Sequence, residues 1–248
     1  METKTETITI EELSKESGVS IYKCNASKMA KDAGLVNPEK YSKEKKKVVM
    51  EEVEGVSGAF LLHDVLSESE CKSFVEITEK MSYVEALVST FGGMVKMEDL
   101  RNNQRVIWQM EQQDELLTLL WERIAPHMPK GELRGSRWTP VSLNERFRFY
   151  KYDKEEQFGQ HYDGCFPRSS SEMSFLTFIV YLNDDFEGGA TTFYVGRNKC
   201  KVQPKRGSAL LFWHGPHPKS PLHEGSIVEK GTKYVLRSDI MYNKDNKK

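Results

Sequence analysis

The chain lacks the features that would place it in a membrane or outside the cell. It holds no run of about 18 apolar residues, the length a helix needs to cross a bilayer, so no spanning helix and no membrane partner are expected. Its start, Met1-Glu2-Thr3-Lys4-Thr5-Glu6, is polar, without the apolar stretch and small-residue cleavage site of a secretory signal. Cysteine is scarce: Cys24, Cys71, Cys165 and Cys200 are scattered without paired spacing. They read as reduced thiols of a cytoplasmic or nuclear protein, and the absence of Cys-x-x-Cys argues against a structural zinc. Net charge is nearly absent too, since 36 basic and 37 acidic residues leave −1. That balance, with no basic–aromatic stripe, gives no reason to expect a nucleic-acid partner. There is no internal repeat. What is present, at 248 residues, is enough chain for one well-buried domain and an appendage.

Residues 1–50 are rich in Lys, Glu and Ser and read as a charged appendage, partly helical or disordered. Ile8–Ser14, capped by Thr9, and Ala26–Leu35 are the candidate short helices, and Lys43-Glu44-Lys45-Lys46-Lys47 reads as a solvated linker. A globular pattern runs over 51–248. Gly58-Ala59-Phe60-Leu61-Leu62 predicts a short strand. Ser67 and Glu70 form a capping box ahead of Cys71, Phe74, Val75 and Ile77, which predicts a helix over about 68–80. A second helix, Asp114–Ile124, is strongly apolar and ends at Pro126 and Pro129. From Pro140 the pattern turns to β. Glu145-Arg146-Phe147-Arg148-Phe149-Tyr150-Lys151-Tyr152 alternates, Phe158–Asp163 is a short strand, and Phe175–Leu182, Gly207–Trp213 and Gly231–Tyr242 read as further strands. Many strands after two helices predict a mainly β fold with flanking α: a jelly-roll barrel packed by the N-terminal helices.

Within this frame Gln160-His161-Tyr162-Asp163-Gly164 stands out. Alternate residues of a strand share a face, so the His161 imidazole and the Asp163 carboxylate are expected to converge. A second imidazole, His223, opens His223-Glu224-Gly225 downstream. Two histidines and one carboxylate on one side of a metal leave the opposite positions open, the arrangement of non-haem Fe(II) oxygenases. His214 and His217, in a Pro/Gly loop, are rivals for the third ligand position. Lys233 and Arg237 lie on one face of the last strand, beyond His223. The polar residues Arg101–Arg105, the Ser-rich stretch 164–173, which reads as a mobile loop, and the mouth near 214–219 are candidates for lining a substrate cleft. Cys165 reads as an ordinary loop side chain.

Four blocks in order carry a resemblance: Tyr152 with His161-x-Asp163, Thr177-x-Ile179-x-Tyr181-Leu182-Asn183, Gly188-Gly189-x-Thr191-x-Phe193, and His223-Glu224-Gly225 with Gly231-Thr232-Lys233-Tyr234. Over residues 55–245 the chain resembles the Fe(II)/2-oxoglutarate dioxygenases, and within them the prolyl 4-hydroxylase-like group. The resemblance implies a double-stranded β-helix, Fe(II) held by His161, Asp163 and His223, 2-oxoglutarate and O2 as co-substrates, and ascorbate as a reductant. It implies a keto-acid carboxylate on Lys233, with Tyr152 and Tyr181 adding hydrogen bonds. Arg237 departs from many relatives and is a second candidate anchor, and a split with one carboxylate on each cation stays open. The implied activity is hydroxylation of a protein residue, peptidyl proline first, or of a small molecule. A metal-binding barrel without turnover, acting as a binding module, is the alternative from another class.

Overall fold

The structure, a computed structural model, describes residues 11–16, 19–23, 47–90, 93–133 and 135–245. Its strands alternate between two environments, and that alternation builds the site. The labelled strands are β1 (Glu11–Glu16), β2 (Val19–Lys23), β3 (Val49–Glu52), β4 (Ala59–His63), β5 (Gln104–Gln109), β6 (Ser136–Leu143) and β7 (Arg146–Tyr152). They continue with β8 (Phe158–His161), β9 (Glu172–Tyr181), β10 (Thr191–Val195), β11 (Asn198–Val202), β12 (Ala209–Trp213), β13 (Leu222–Gly225) and β14 (Lys233–Lys244). A large sheet runs β1-β2-β5-β7-β14-β9-β12-β4-β3, with β6 also pairing along β14, and a smaller one runs β8-β13-β10-β11. Every pairing named is antiparallel except β2 beside β5.

Helices α1 (Glu68–Glu79) and α2 (Glu115–Ile124) cover one face of the large sheet. The predicted capping box starts α1: the Glu70 amide donates to Ser67 Oγ at 3.2 Å and the Ser67 amide to Glu70 Oε2 at 2.7 Å. The same Glu70 carboxylate takes Arg123 of α2 at 2.8 Å, tying the helices together in a buried pair. Phe74, Ile77, Leu117 and Leu120 then pack on Trp108, Phe147, Phe149, Phe178 and Leu236. Those sheet residues come from one side of the pleat. The other side of the same strands presents Arg105, Arg148, Tyr150, Tyr152, Thr177, Lys233 and Arg237, and faces the small sheet. Tyr150, Tyr152, Tyr181 and Val235 meet Phe193 of β10 and Val202 of β11 in a second core between the sheets. A single period-two pattern thus separates a dry helix-facing layer from a wall of functional groups.

Two expectations change. Residues 11–14, expected in the helix Ile8–Ser14, belong to strand β1, which pairs with β2, which in turn adds to the edge of β5. A polar helix of under two turns is marginal in water, whereas pairing on an existing edge satisfies the backbone directly. Thr9, the helix proposed for Ala26–Leu35 and most of the lysine run lie outside the described residues. The stretch 164–173, expected as a mobile loop, folds back as a hairpin: Pro167 bridges to Met173, and the amides of Arg168 and Ser169 both donate to the Glu172 carbonyl at 3.0 Å.

Candidate metal centre and its two cavities

The two candidate histidines meet because β8 and β13 pair with His161 directly opposite His223. Their ring centroids are 4.3 Å apart. The strand expected to carry Asp163 stops at His161, so the carboxylate arrives from the segment after it and is not set by alternation. It is set by side chains. Thr177 Oγ1 of β9 donates to Asp163 Oδ2 at 2.6 Å, and Arg237 Nη2 of β14 lies 3.2 Å from Oδ1. The ligand atoms of His161, Asp163 and His223 all fall within 4.8 Å of one another.

The donor set fits a divalent cation. His161 Nδ1 lies 2.8 Å from the Gly159 carbonyl and His223 Nδ1 lies 3.2 Å from the Pro221 carbonyl. A carbonyl only accepts, so each Nδ1 carries the proton and each Nε2 presents a lone pair. Those lone pairs point at the carboxylate: His161 Nε2 is 3.5 Å from Oδ1 and His223 Nε2 is 3.8 Å from Oδ2. Burial lowers the His223 pKa to about 4, which keeps its ring neutral near pH 7. Burial opposes charge on Asp163 as well, but the Arg237 guanidinium beside it holds its carboxyl well below the usual range. Three lone-pair donors facing one another with no proton between them are in repulsion until a cation sits among them.

His214, a rival ligand by sequence, takes a different part. Thr177 spends its hydroxyl proton on Asp163, so it accepts from His214 Nδ1 at 2.9 Å. His214 Nε2 then accepts from Ser174 Oγ at 2.9 Å, and Ser174 accepts from the Phe166 amide at 2.8 Å. This buried relay runs in one direction and orients Asp163. His217 stacks on Trp213 at 4.0 Å, away from the cluster. No spacing rule marks Thr177, Ser174 or His214 for this work; only the pairing of β9 with β12, which His214 directly follows, brings them together under the carboxylate.

An inner cavity leads from the cluster to Lys233, between Tyr152, Thr191 and Val235. Lys233 Nζ donates to the Gly189 carbonyl at 2.7 Å and sits over the Tyr152 and Tyr181 rings at 5.1 and 5.8 Å. Burial draws its pKa down to about 7. Tyr181 is behind this wall, its hydroxyl 2.8 Å from Thr191 Oγ1. Arg237, by contrast, is turned to Asp163 and Asp239, at 3.2 and 3.5 Å.

An outer cavity of about 540 Å³ opens on the other side of the cluster. Tyr150, Phe158, His161, Asp163 and Arg237 border both spaces. Arg101, Arg105, Arg146 and Arg148 border the outer one. The sequence pointed to Arg101–Arg105, but not to the β7 arginines or to Tyr150. Burial would raise the Tyr150 phenol, yet Arg101, Arg237, Arg148 and Arg105 together draw it down to about 7.

Residues 147–238 match the sequence model of the 2OG-Fe(II) oxygenase superfamily. The chain is 25% identical over 193 residues to Prolyl 4-hydroxylase 1 of Arabidopsis thaliana, covering 70% of this chain and 65% of that protein. It thus spans just under two thirds of the length of that curated relative. In three dimensions it is similar to a prolyl hydroxylase from Trichoplax adhaerens solved with a hypoxia inducible factor oxygen degradation domain peptide. The TM-score is 0.52 at 15% identity, over 86% of this chain and 90% of that one. A Pseudomonas putida prolyl-4-hydroxylase matches with a TM-score of 0.50 at 14% identity, over 74% and 92%. These structures share the double-stranded β-helix described above. No helix among the described residues is long and apolar enough to cross a membrane. The motif blocks and the two-histidine, one-carboxylate cluster agree with the match of residues 147–238 to the 2OG-Fe(II) oxygenase superfamily, and the facing sheets agree with the fold of these structures.

Proposed function

We propose that the chain is an Fe(II)/2-oxoglutarate-dependent dioxygenase, with residues 51–248 as the catalytic domain and residues 1–50 as an appendage that adds edge strands. His161, Asp163 and His223 hold the metal. The chemistry a bound Fe(II) supplies is oxidative decarboxylation of 2-oxoglutarate by O2 coupled to C–H hydroxylation, giving succinate, carbon dioxide and the alcohol. The protein orients, charges and dries the site. Lys233 anchors the far carboxylate of the keto acid in the inner cavity, with Tyr152 beside it, while Tyr181 fixes Thr191. Arg237 keeps Asp163 ionised and aimed, so the two cations divide the work: one for co-substrate, one for ligand.

The single observation that carries the reading is Lys233. A buried ammonium reached from the metal cluster, with a backbone carbonyl as its acceptor, is unfavourable in a mere binding barrel and useful for a dicarboxylic co-substrate. The free state of Cys71, Cys165 and Cys200 supports a reducing compartment, cytoplasm or nucleus. Ascorbate as a reductant is carried from the family. The names of the relatives support a peptidyl residue, proline first, as prime substrate, and the outer cavity is large enough for that or for a small molecule.

The test needs no prime substrate. Anaerobic addition of Fe(II) and 2-oxoglutarate produces a visible charge-transfer band, and admission of O2 produces succinate. His161→Ala and His223→Ala abolish both. A parent protein that binds no iron, or forms succinate equally well without either histidine, refutes the assignment.

A further inference from the structure

The outer cavity carries charge that a neutral substrate does not call for. Five guanidinium groups border it, against the carboxylates of Asp163 and Asp239. Counting the Tyr150 hydroxyl as a third negative group still leaves the cations in the majority. Both carboxylates are already engaged by Arg237. The strand register sharpens the point. Arg148 of β7 lies directly opposite Arg237 of β14, and like charges in that relation destabilise a sheet. Arg105 of β5 is opposite Tyr150, which puts its head beside the same groups.

These heads are fixed and under-used. Arg101 is held between the Tyr150 and Phe158 rings, at 4.5 and 4.2 Å, while its Nε donates to Asn103 Oδ1 at 2.8 Å. Phe158 in turn stacks on His161, so this guanidinium stands one ring away from a proposed metal ligand. Arg101 and Arg105 are 5% and 7% exposed, yet Nη2 of the first and Nε of the second have no hydrogen-bond partner among the described residues. Arg148 Nη1 also lacks one, standing 3.7 Å from Asp239. Buried cationic donors without acceptors from the chain are unfavourable and are answered by an anion that enters the cleft. Lys233, assigned to 2-oxoglutarate, borders only the inner cavity, so the keto acid does not explain the outer cluster.

We propose that the prime substrate carries an oxyanion, a carboxylate or a phosphate, that Arg101, Arg105 and Arg148 grip in the outer cavity while a neighbouring C–H bond faces His161, Asp163 and His223. This rests on the oxygenase reading of the metal cluster. It narrows the substrate within that reading: whichever carbon is hydroxylated, that of a peptidyl proline included, an acidic group stands beside it to meet the guanidiniums. The oxyanion belongs either to a free small acid or to an acidic side chain of a peptide.

Titration calorimetry on the full chain, loaded with Fe(II) and 2-oxoglutarate without oxygen, decides it. The probes are inorganic sulfate, tricarballylate and a short aspartate-rich peptide, the last two beside their amide and asparagine counterparts. At least one anionic probe binds, and its neutral counterpart binds about tenfold or more weakly. Preference for the free acid or for the peptide identifies the source. Arg105→Gln and Arg148→Gln each weaken binding by about tenfold, whereas Arg148→Lys, which retains the charge, weakens it less. Thermal melts followed by circular dichroism show that the variants are folded. The proposal is overturned if no anionic probe binds at millimolar concentration, if neutral counterparts bind equally, or if the glutamine variants bind like the parent. A neutral proline peptide that stimulates succinate formation equally in parent and glutamine variants overturns it as well. Failure of the oxygenase reading looks different: the parent forms no charge-transfer band, while sulfate binding is still measured on metal-free protein.

Discussion

Replacing Lys233 by methionine is expected to strengthen the fold while destroying co-substrate binding. The ammonium is 3% exposed, its hydrogen-bond acceptor is the Gly189 carbonyl at 2.7 Å, and no carboxylate pairs with it among the described residues. Burial takes its pKa from 10.5 to about 7. The unfolded lysine keeps the ordinary value, so between about 7 and 10.5 the unfolded chain binds more protons than the folded one. Stability from this group therefore rises with pH across that window and is lowest below it, where folding must bury the charge. At about 1.4 kcal/mol per pH unit, the penalty below pH 7 is about 5 kcal/mol. Methionine keeps the length of the stem without the charge, but it leaves the Gly189 carbonyl unpaired, a loss of about 1–3 kcal/mol. Lys233→Met should gain about 2–4 kcal/mol in urea unfolding of metal-free protein at mildly acidic pH and lose that gain in alkali. Its affinity for 2-oxoglutarate, followed by the charge-transfer band under anaerobic titration, should fall by about a hundredfold or more. A variant less stable than the parent at acidic pH, or one that keeps the parent's keto-acid affinity, refutes the reasoning.

The same lysine makes 2-oxoglutarate binding pH-dependent in the parent: the charged form binds, so the apparent Kd should rise about tenfold per pH unit above about 7, and a flat profile over the alkaline range contradicts it. Thr177→Val removes the donor to Asp163 Oδ2 and strands His214 Nδ1, so Fe(II) affinity by competition with a chelator should fall about 10–100-fold, while Ser73→Ala on α1 leaves it unchanged. Gly207→Ala should destabilise the fold by at least about 2 kcal/mol in thermal unfolding, because the residue sits at φ +78° and an added Cβ would stand 2.2 Å from the Leu66 carbonyl oxygen.

How much of this is legible in the chain depends on whether a feature is local. The capping box at Ser67 and Glu70 and the apolar face of α2 are local and appear as read, and the alternation over Glu145–Tyr152 appears as β7, which starts one residue later. The cluster of His161, Asp163 and His223 is not local. Its members were legible because their motif blocks occur in a known order, but alternation along one strand, the physical reason read for His161 and Asp163, does not hold. His161 meets His223 across β8 and β13, and Asp163, past the strand end, is aimed by Thr177 and Arg237 from β9 and β14. Residues 11–14 were misread as helix because propensity is weak over one or two turns, and the edge of β5 that captures β2 is made of residues far along the chain.

The arginines show best why pattern alone falls short. Arg146 and Arg148 alternate with Phe147 and Phe149, so the period assigns them to one face. Nothing in the period says whether that face meets water or a cavity. Water would make them ordinary solvated charges. The register of β5, β7 and β14 decides otherwise by placing Arg148 opposite Arg237 and Arg105 opposite Tyr150, with α1 and α2 claiming the phenylalanine side. In that setting Arg105 and Arg148 each keep a buried donor without a partner among the described residues. Local rules are broken together at one place, between the metal cluster and the outer opening, and the compensation has to come from something that is not part of the chain. For Lys233 the proposed partner is a dicarboxylic keto acid; for the outer guanidiniums, by the same reasoning, we propose the substrate's own negative charge.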